Sequence, residues 1–234
     1  MKSIETIPLF KHCNDEFLNN ITASSTISCH PKGKTLFIHG DDATRFYYIK
    51  SGWVKLYRET LEGTQAIVDI LPAGNIFGET SIFENATYPY SAEIVEKADI
   101  ISLPITHLKT EIENNNKLAM EMLQAMARYR RRQDTELEHL SIQNAPQRIG
   151  CFLLRLADQS TKNEVKINLP YDKTLVASRL GMQPETFSRA LNKLRDKTGI
   201  RIKGSTIEVD KLDQLMNYSC AACSSEFPCK DIKA

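Results

Sequence analysis

The stretch DKTLVASRLGMQPETFSRALNKLRDKTGIRIKGSTIEVD, residues 172–210, decides the fold. A first helix over 172–180 ends at Gly181, and Gly181-Met182-Gln183 makes a short turn. Pro184 opens a second helix, because its φ suits the first helical position and its missing N–H would be unpaired there anyway. Along that helix Phe187, Ala190, Leu191 and Leu194 recur at i, i+3, i+4 and i+7, which marks a buried face. The opposite face carries Glu185, Ser188, Arg189 and Asn192. A guanidinium suits the paired acceptors of guanine, and a carboxylate can accept from the cytosine amino group, as readout of the major groove requires. The alternating segment IRIKG-STIEV then reads as a two-stranded wing. Lys203 in the wing is placed for phosphate contact, and Arg179 at the end of the first helix completes the expected DNA-binding residues. Helix, turn, helix and wing describe a winged helix-turn-helix.

Charge supports this reading locally. The whole chain of 234 residues carries a formal net charge of only +1. Between residues 170 and 204, however, eight Lys or Arg stand against three acids, which suits a face for a polyanion. The bland alternative, a solvated charged surface, explains the charge but not the turn glycine and the wing. Composition is otherwise that of a globular protein, with a quarter of the residues charged and 41% apolar. No apolar run approaches the roughly 20 residues of a membrane span, so no membrane partner is expected. The first residues hold no uninterrupted apolar segment of a secretory leader, and a cytoplasmic location is expected. No Gly-rich phosphate loop, nucleophile elbow, zinc-protease motif or outstanding carboxylate pair argues for an enzyme.

Upstream, residues 30–105 read as β. The stretches TLFIHG, RFYYIKSG, WVKLYRE, QAIVDILPAG and DIISLP are rich in β-branched and aromatic residues and are separated by turn signals such as Ser51-Gly52 and Glu62-Gly63. Many short strands with regular turns imply a roll or barrel. From about Leu108 to Leu140 the chain has no Gly or Pro and reads as one long helix. Ala119, Met122, Met126, Tyr129, Gln133 and Leu140 form a 3-4 stripe flanked by Leu137, as expected where two parallel helices of a homodimer meet. Packing on its own domain would also explain a stripe, but less well so long a helix. The expected fold class is therefore α+β. A β-roll sensor domain spans 1–107, a dimerisation helix 108–143, a winged helix-turn-helix 146–212 and a cysteine-rich tail 213–234.

These parts, in this order, resemble the CRP/FNR family of transcription regulators from about Pro31 to Val209. The likeness includes the roll glycines, FGETSIF at 77–83 and PETFSR at 184–189. The pattern E-x-x-S-R is similar to that of the FNR and nitrosative-stress branches. It implies that Glu185, Ser188 and Arg189 read palindromes of TTGAT-like half-sites in double-stranded DNA, with RNA polymerase as a further partner. The cyclic-AMP branch has arginine and glycine where Pro184 and Ser188 stand here.

In the family's cyclic-nucleotide binders a Gly-Glu pair holds the ribose, and an Arg-Ser-Ala segment supplies the phosphate arginine. Here Gly78-Glu79 is present but the later segment is Tyr90-Ser91-Ala92, so cAMP is not expected as effector: a buried phosphate would lose its cation. The tail offers another sensor, since Cys220, Cys223 and Cys229 form C-x2-C-x5-C, a spacing at which three thiolates can meet at one metal or cluster. FNR proteins with an N-terminal cysteine motif are not matched by Cys13 and Cys29. A subgroup carries its cluster cysteines at the C-terminus with an aspartate of the dimer helix as fourth ligand. That resemblance implies a 4Fe-4S cluster held by Cys220, Cys223, Cys229 and Asp134, although this motif is one residue longer between its last two cysteines. Zinc, with His139 or Asp134 completing the sphere, and a metal-free tail remain open, as does Cys151 as fourth ligand. Haem is a further alternative, because MQPETFSR also resembles the family's haem-dependent nitric-oxide regulators. A plain dimeric repressor that needs no ligand is the remaining class.

Overall fold

The computed structural model describes residue 4 and residues 7–83, 86–157, 165–169, 172–204 and 206–222. The chain divides into two units, residues 1–125 and 126–234. Among the described residues no helix is long and apolar enough to cross a membrane.

The first unit opens with α1 (Asp15–Ala23), whose N-cap Asn14 accepts from the Phe17 N–H at 2.8 Å. An antiparallel sheet follows: β1 (Thr26–His30), β2 (Thr35–Phe37), β3 (Arg45–Glu59), β4 (Gln65–Pro72), β5 (Ile76–Phe77) and β6 (Ser91–Pro104). Its main order is β1-β6-β3-β4, with β2 on β6 and β5 on β3. Sequence reading splits 45–59 into two strands at Ser51-Gly52; the structure keeps one strand and places a bulge there. Gly52 has φ 84°, and a Cβ on it would lie 2.6 Å from the Lys97 carbonyl oxygen, so the turn signal is the requirement of a bulge. Phe46, Ile49, Val54, Phe77, Ile94, Ile100 and Leu103 fill the core.

The long helix also differs from expectation. α2 (Ile105–Asn114) and α3 (Asn116–Ile142) are separate, with extended backbone at Asn115. The Asn115 side chain accepts from the N–H groups of Lys117 and Leu118, so a cap interrupts a segment that contains neither Gly nor Pro. The apolar positions of α3 divide as well. Leu118 and Met122 are buried in the first unit's core, while Leu123 (58% exposed), Met126, Tyr129, Leu137 (61% exposed) and Leu140 face outward. The exposed seam thus runs one position later than the predicted stripe at Met122.

In the second unit α4 (Ala145–Leu156) starts with a reciprocal capping box between Asn144 and Gln147. β7 (Val165–Asn168), α5 (Lys173–Arg179), α6 (Pro184–Thr198), β8 (Arg201–Lys203) and β9 (Thr206–Val209) follow, with sheet order β7-β9-β8. The expected boundary at 212 is then overrun by α7 (Leu212–Ser219) and a 3-10 turn, Cys220–Ala222. Leu215 is buried, and a Cβ on Gly150 would come 2.0 Å from Ser219 Oγ, so α7 lies directly on α4. Residues 213–222 therefore belong to this unit and are not a separate tail.

Candidate nucleic-acid interface

Asp172 caps α5 by accepting from the Leu175 N–H at 2.9 Å, and Gly181 at φ 65° allows the turn into α6. Pro184 lies in the first turn of α6, and Gly199 closes it in the left-handed conformation with its N–H on the Arg195 carbonyl. Phe187, Ala190, Leu191 and Leu194 are buried, which turns Glu185, Ser188, Arg189 and Asn192 outward, all four exposed. That face joins three kinds of groups in two turns of helix: a carboxylate, a guanidinium fork, and hydroxyl and amide dipoles. It has the donors and acceptors to address base edges.

The other two expected DNA contacts are engaged with acids. Lys203 on β8 reaches Glu208 on β9 at 3.0 Å, and Arg201 binds both Glu208 and Asp210. The Lys203 and Arg201 bonds hold the Glu208 carboxyl below its ordinary value. Arg179, at the end of α5, has only 15% of its side chain exposed and donates to Glu136 Oε1 at 2.6 Å. Glu136 also accepts from Arg132 at 3.4 Å and Arg155 at 3.3 Å. Sequence reasoning missed this cluster. Its one signal was a carboxylate at 136, between Gln133 and Leu140, where the 3-4 stripe calls for an apolar side chain.

The expected metal ligands are not brought together among the described residues. Asp134 is exposed and paired with Arg130 at 3.1 Å, and Cys220 is half-buried in the 3-10 turn after α7. Cys223 and Cys229 lie outside the described residues. Among the described residues no group of three or more His, Cys, Asp or Glu could hold a metal ion. His139 is buried beside Cys151, with Nδ1 at 3.8 Å from the thiol and 3.4 Å from an Arg155 nitrogen.

In the roll, Phe37 stacks on Tyr88 at 3.7 Å between ring centroids, and Tyr47 stacks on Phe77 at 5.2 Å. Tyr90 accepts at its hydroxyl from the Gly78 N–H at 3.3 Å. Glu79 Oε2 is buried with no hydrogen-bond partner among the described residues, and burial pushes the Glu79 carboxyl upward.

Two family models match the chain. Residues 29–115 match the cyclic nucleotide-binding domain, and residues 147–218 match the Crp-like helix-turn-helix domain. The cyclic AMP receptor protein of Thermus thermophilus is 30% identical over 77% of this chain and 82% of its own length. The fumarate and nitrate reduction regulatory protein of Escherichia coli is 24% identical over 87% of this chain and 88% of that protein. FixK2 from Bradyrhizobium japonicum shares the fold, with a TM-score of 0.73 at 20% identity over 86% of this chain and 98% of that one. A roll, a long helix and a helix-turn-helix, matched by regulators along most of their length, place this chain in the CRP/FNR family of DNA-binding transcription regulators.

Proposed function

We propose that the protein is a cytoplasmic homodimer that reads FNR-like palindromes of TTGAT half-sites and responds to oxygen, redox state or nitric oxide. The exposed face of α6 carries this reading: Glu185, Ser188 and Arg189 stand together, outward, on a helix whose opposite face is core. Pairing uses the outward apolar positions of α3, Leu123, Met126, Leu137 and Leu140, which are 40% to 61% exposed in the single chain. RNA polymerase is the expected partner once DNA is bound. Selection of binding sites from randomised DNA tests the reading. Enrichment of two inverted TTGAT-like half-sites supports it, and enrichment of a single asymmetric site contradicts it.

For the signal, C-x2-C-x5-C supports a cluster better than a nucleotide in the roll. Cys220, Cys223 and Cys229 would hold a 4Fe-4S cluster, with Asp134 released from Arg130 to serve as the fourth ligand. Such a cluster supplies oxidisable iron and sulfide. Iron and sulfide analysis after anaerobic purification tests this. Near-stoichiometric iron and sulfide support a cluster, a sharp Soret band identifies haem, zinc alone marks a structural site, and metal-free protein with full operator affinity removes the sensor.

A further inference from the structure

Outside the exposed face of α6, one carboxylate ties three helices of the second unit together. Glu136 Oε1 accepts from Arg132 on its own helix α3, from Arg155 on α4 and from Arg179 on α5. The shortest of the three, 2.6 Å, is the bond to α5. All four side chains are at least two-thirds covered. Without that acid, three partly desolvated cations would face one another.

The location gives the cluster a consequence for DNA reading. α5 is the first helix of the helix-turn-helix and packs against α6. Holding Arg179 on Glu136 therefore fixes the direction of α6 relative to the second half of α3. In a dimer paired along α3, as read above, that direction sets the distance between the two recognition helices. Half-site spacing in DNA follows from that distance.

We propose that Glu136 is a positioning residue for DNA reading: through Arg179 and Arg155 its carboxylate sets the half-site spacing that the dimer accepts. It touches no DNA itself. The inference rests on the dimer and palindrome reading, and the experiment separates the two.

Wild type, Glu136→Gln, Glu136→Asp and Arg179→Gln are each bound to duplexes carrying the selected half-sites with spacers from two base pairs shorter to two longer. Wild type should prefer one spacer. In Glu136→Gln that preference should shrink by about tenfold, roughly 1.4 kcal/mol, while the base preferred at each half-site position stays the same. Glu136→Asp should restore part of it. An unchanged spacer preference in Glu136→Gln overturns the proposal and leaves the dimer reading standing. Wild type without any spacer preference overturns the dimer reading and the proposal with it. Should Glu136→Gln not fold, Arg179→Gln, which leaves Glu136 two arginines, decides. Loss of spacer preference supports the proposal. A uniform loss at every spacer, with the salt slope reduced by about 0.9 for each phosphate contact removed, marks Arg179 as a phosphate contact and overturns it.

Discussion

Arg189 stands on the exposed face of α6 between two buried neighbours, Phe187 and Ala190, so its backbone is fixed while its side chain is exposed. A guanidinium so mounted can approach a guanine edge with both donors at once. Arg189→Ala is expected to lose about 1–3 kcal/mol of discrimination at the guanine position with little change in melting temperature. Competition binding against duplexes substituted at that base measures it, and an unchanged base preference would mean another element reads the site. The outward set at 185, 188, 189 and 192 was legible because helical periodicity alone decides which residues oppose a buried stripe. Capture of Arg179 by Glu136 was not legible. It joins side chains 43 positions apart, and neither local pattern nor charge count encodes which acid a basic residue meets after folding.

Helix packing shows the same contrast between local pattern and tertiary neighbour. The amphipathic repeat of α4 is a local pattern, whereas its cover by α7 joins residues far apart in the chain and no local pattern encodes it. Gly150 records their contact: an added Cβ would meet Ser219 Oγ at 2.0 Å, Ser219 Cβ at 3.1 Å and Leu215 Cδ1 at 3.3 Å. Alanine at 150 should gain about 0.8–1.0 kcal/mol of helix propensity and lose about 1–3 kcal/mol to overpacking. Gly150→Ala alone is therefore expected to lower stability in urea unfolding. Ser219 Oγ is buried and has no hydrogen-bond partner among the described residues, so its removal breaks no hydrogen bond there. Gly150→Ala with Ser219→Ala should recover wild-type stability or exceed it, and a double variant no better than the single one would place the strain elsewhere. On α3 the two sides of the stripe make separable predictions. Met122→Ala should cost about 2–5 kcal/mol as a core truncation and leave the oligomeric state unchanged. Leu137→Glu should leave folding intact and yield monomers in sedimentation, because the side chain it replaces is exposed in the single chain. A dimer that survives Leu137→Glu would remove this face from the interface.

Across the whole molecule the two units carry buried titratable groups of opposite sign. His139, in the second unit, has its pKa lowered from 6.5, by burial first and then by Arg155. Its folded form stays neutral while the unfolded chain takes up a proton as pH falls through 6.5, so the unfolded state binds more protons and stability drops on the acid side. Glu136 adds a further loss below 4.5, where the unfolded carboxyl protonates and the folded one resists. Glu79, in the first unit, behaves in reverse. Burial raises its pKa above 4.5, so the folded state keeps a proton that the unfolded chain releases, and stability falls as pH rises through and above 4.5. Each group contributes a slope of at most about 1.4 kcal/mol per pH unit within its window. Composition showed that such groups exist. Their burial, and therefore the sign of their linkage, came only with the fold. A natural reporter separates the units, because the lone tryptophan, Trp53, lies on β3 of the first. Between pH 7 and pH 5.5 the thermal midpoint followed by Trp53 fluorescence should hold or rise. The helical signal at 222 nm, a wavelength chosen as roughly the usual helix band, draws heavily on the second unit and should melt earlier. Glu79→Gln should flatten the fluorescence trend, and a neutral His139→Gln should flatten the helical one. Coincident midpoints that fall together at every pH would show that the two units unfold as one and that these buried groups do not set the pH dependence.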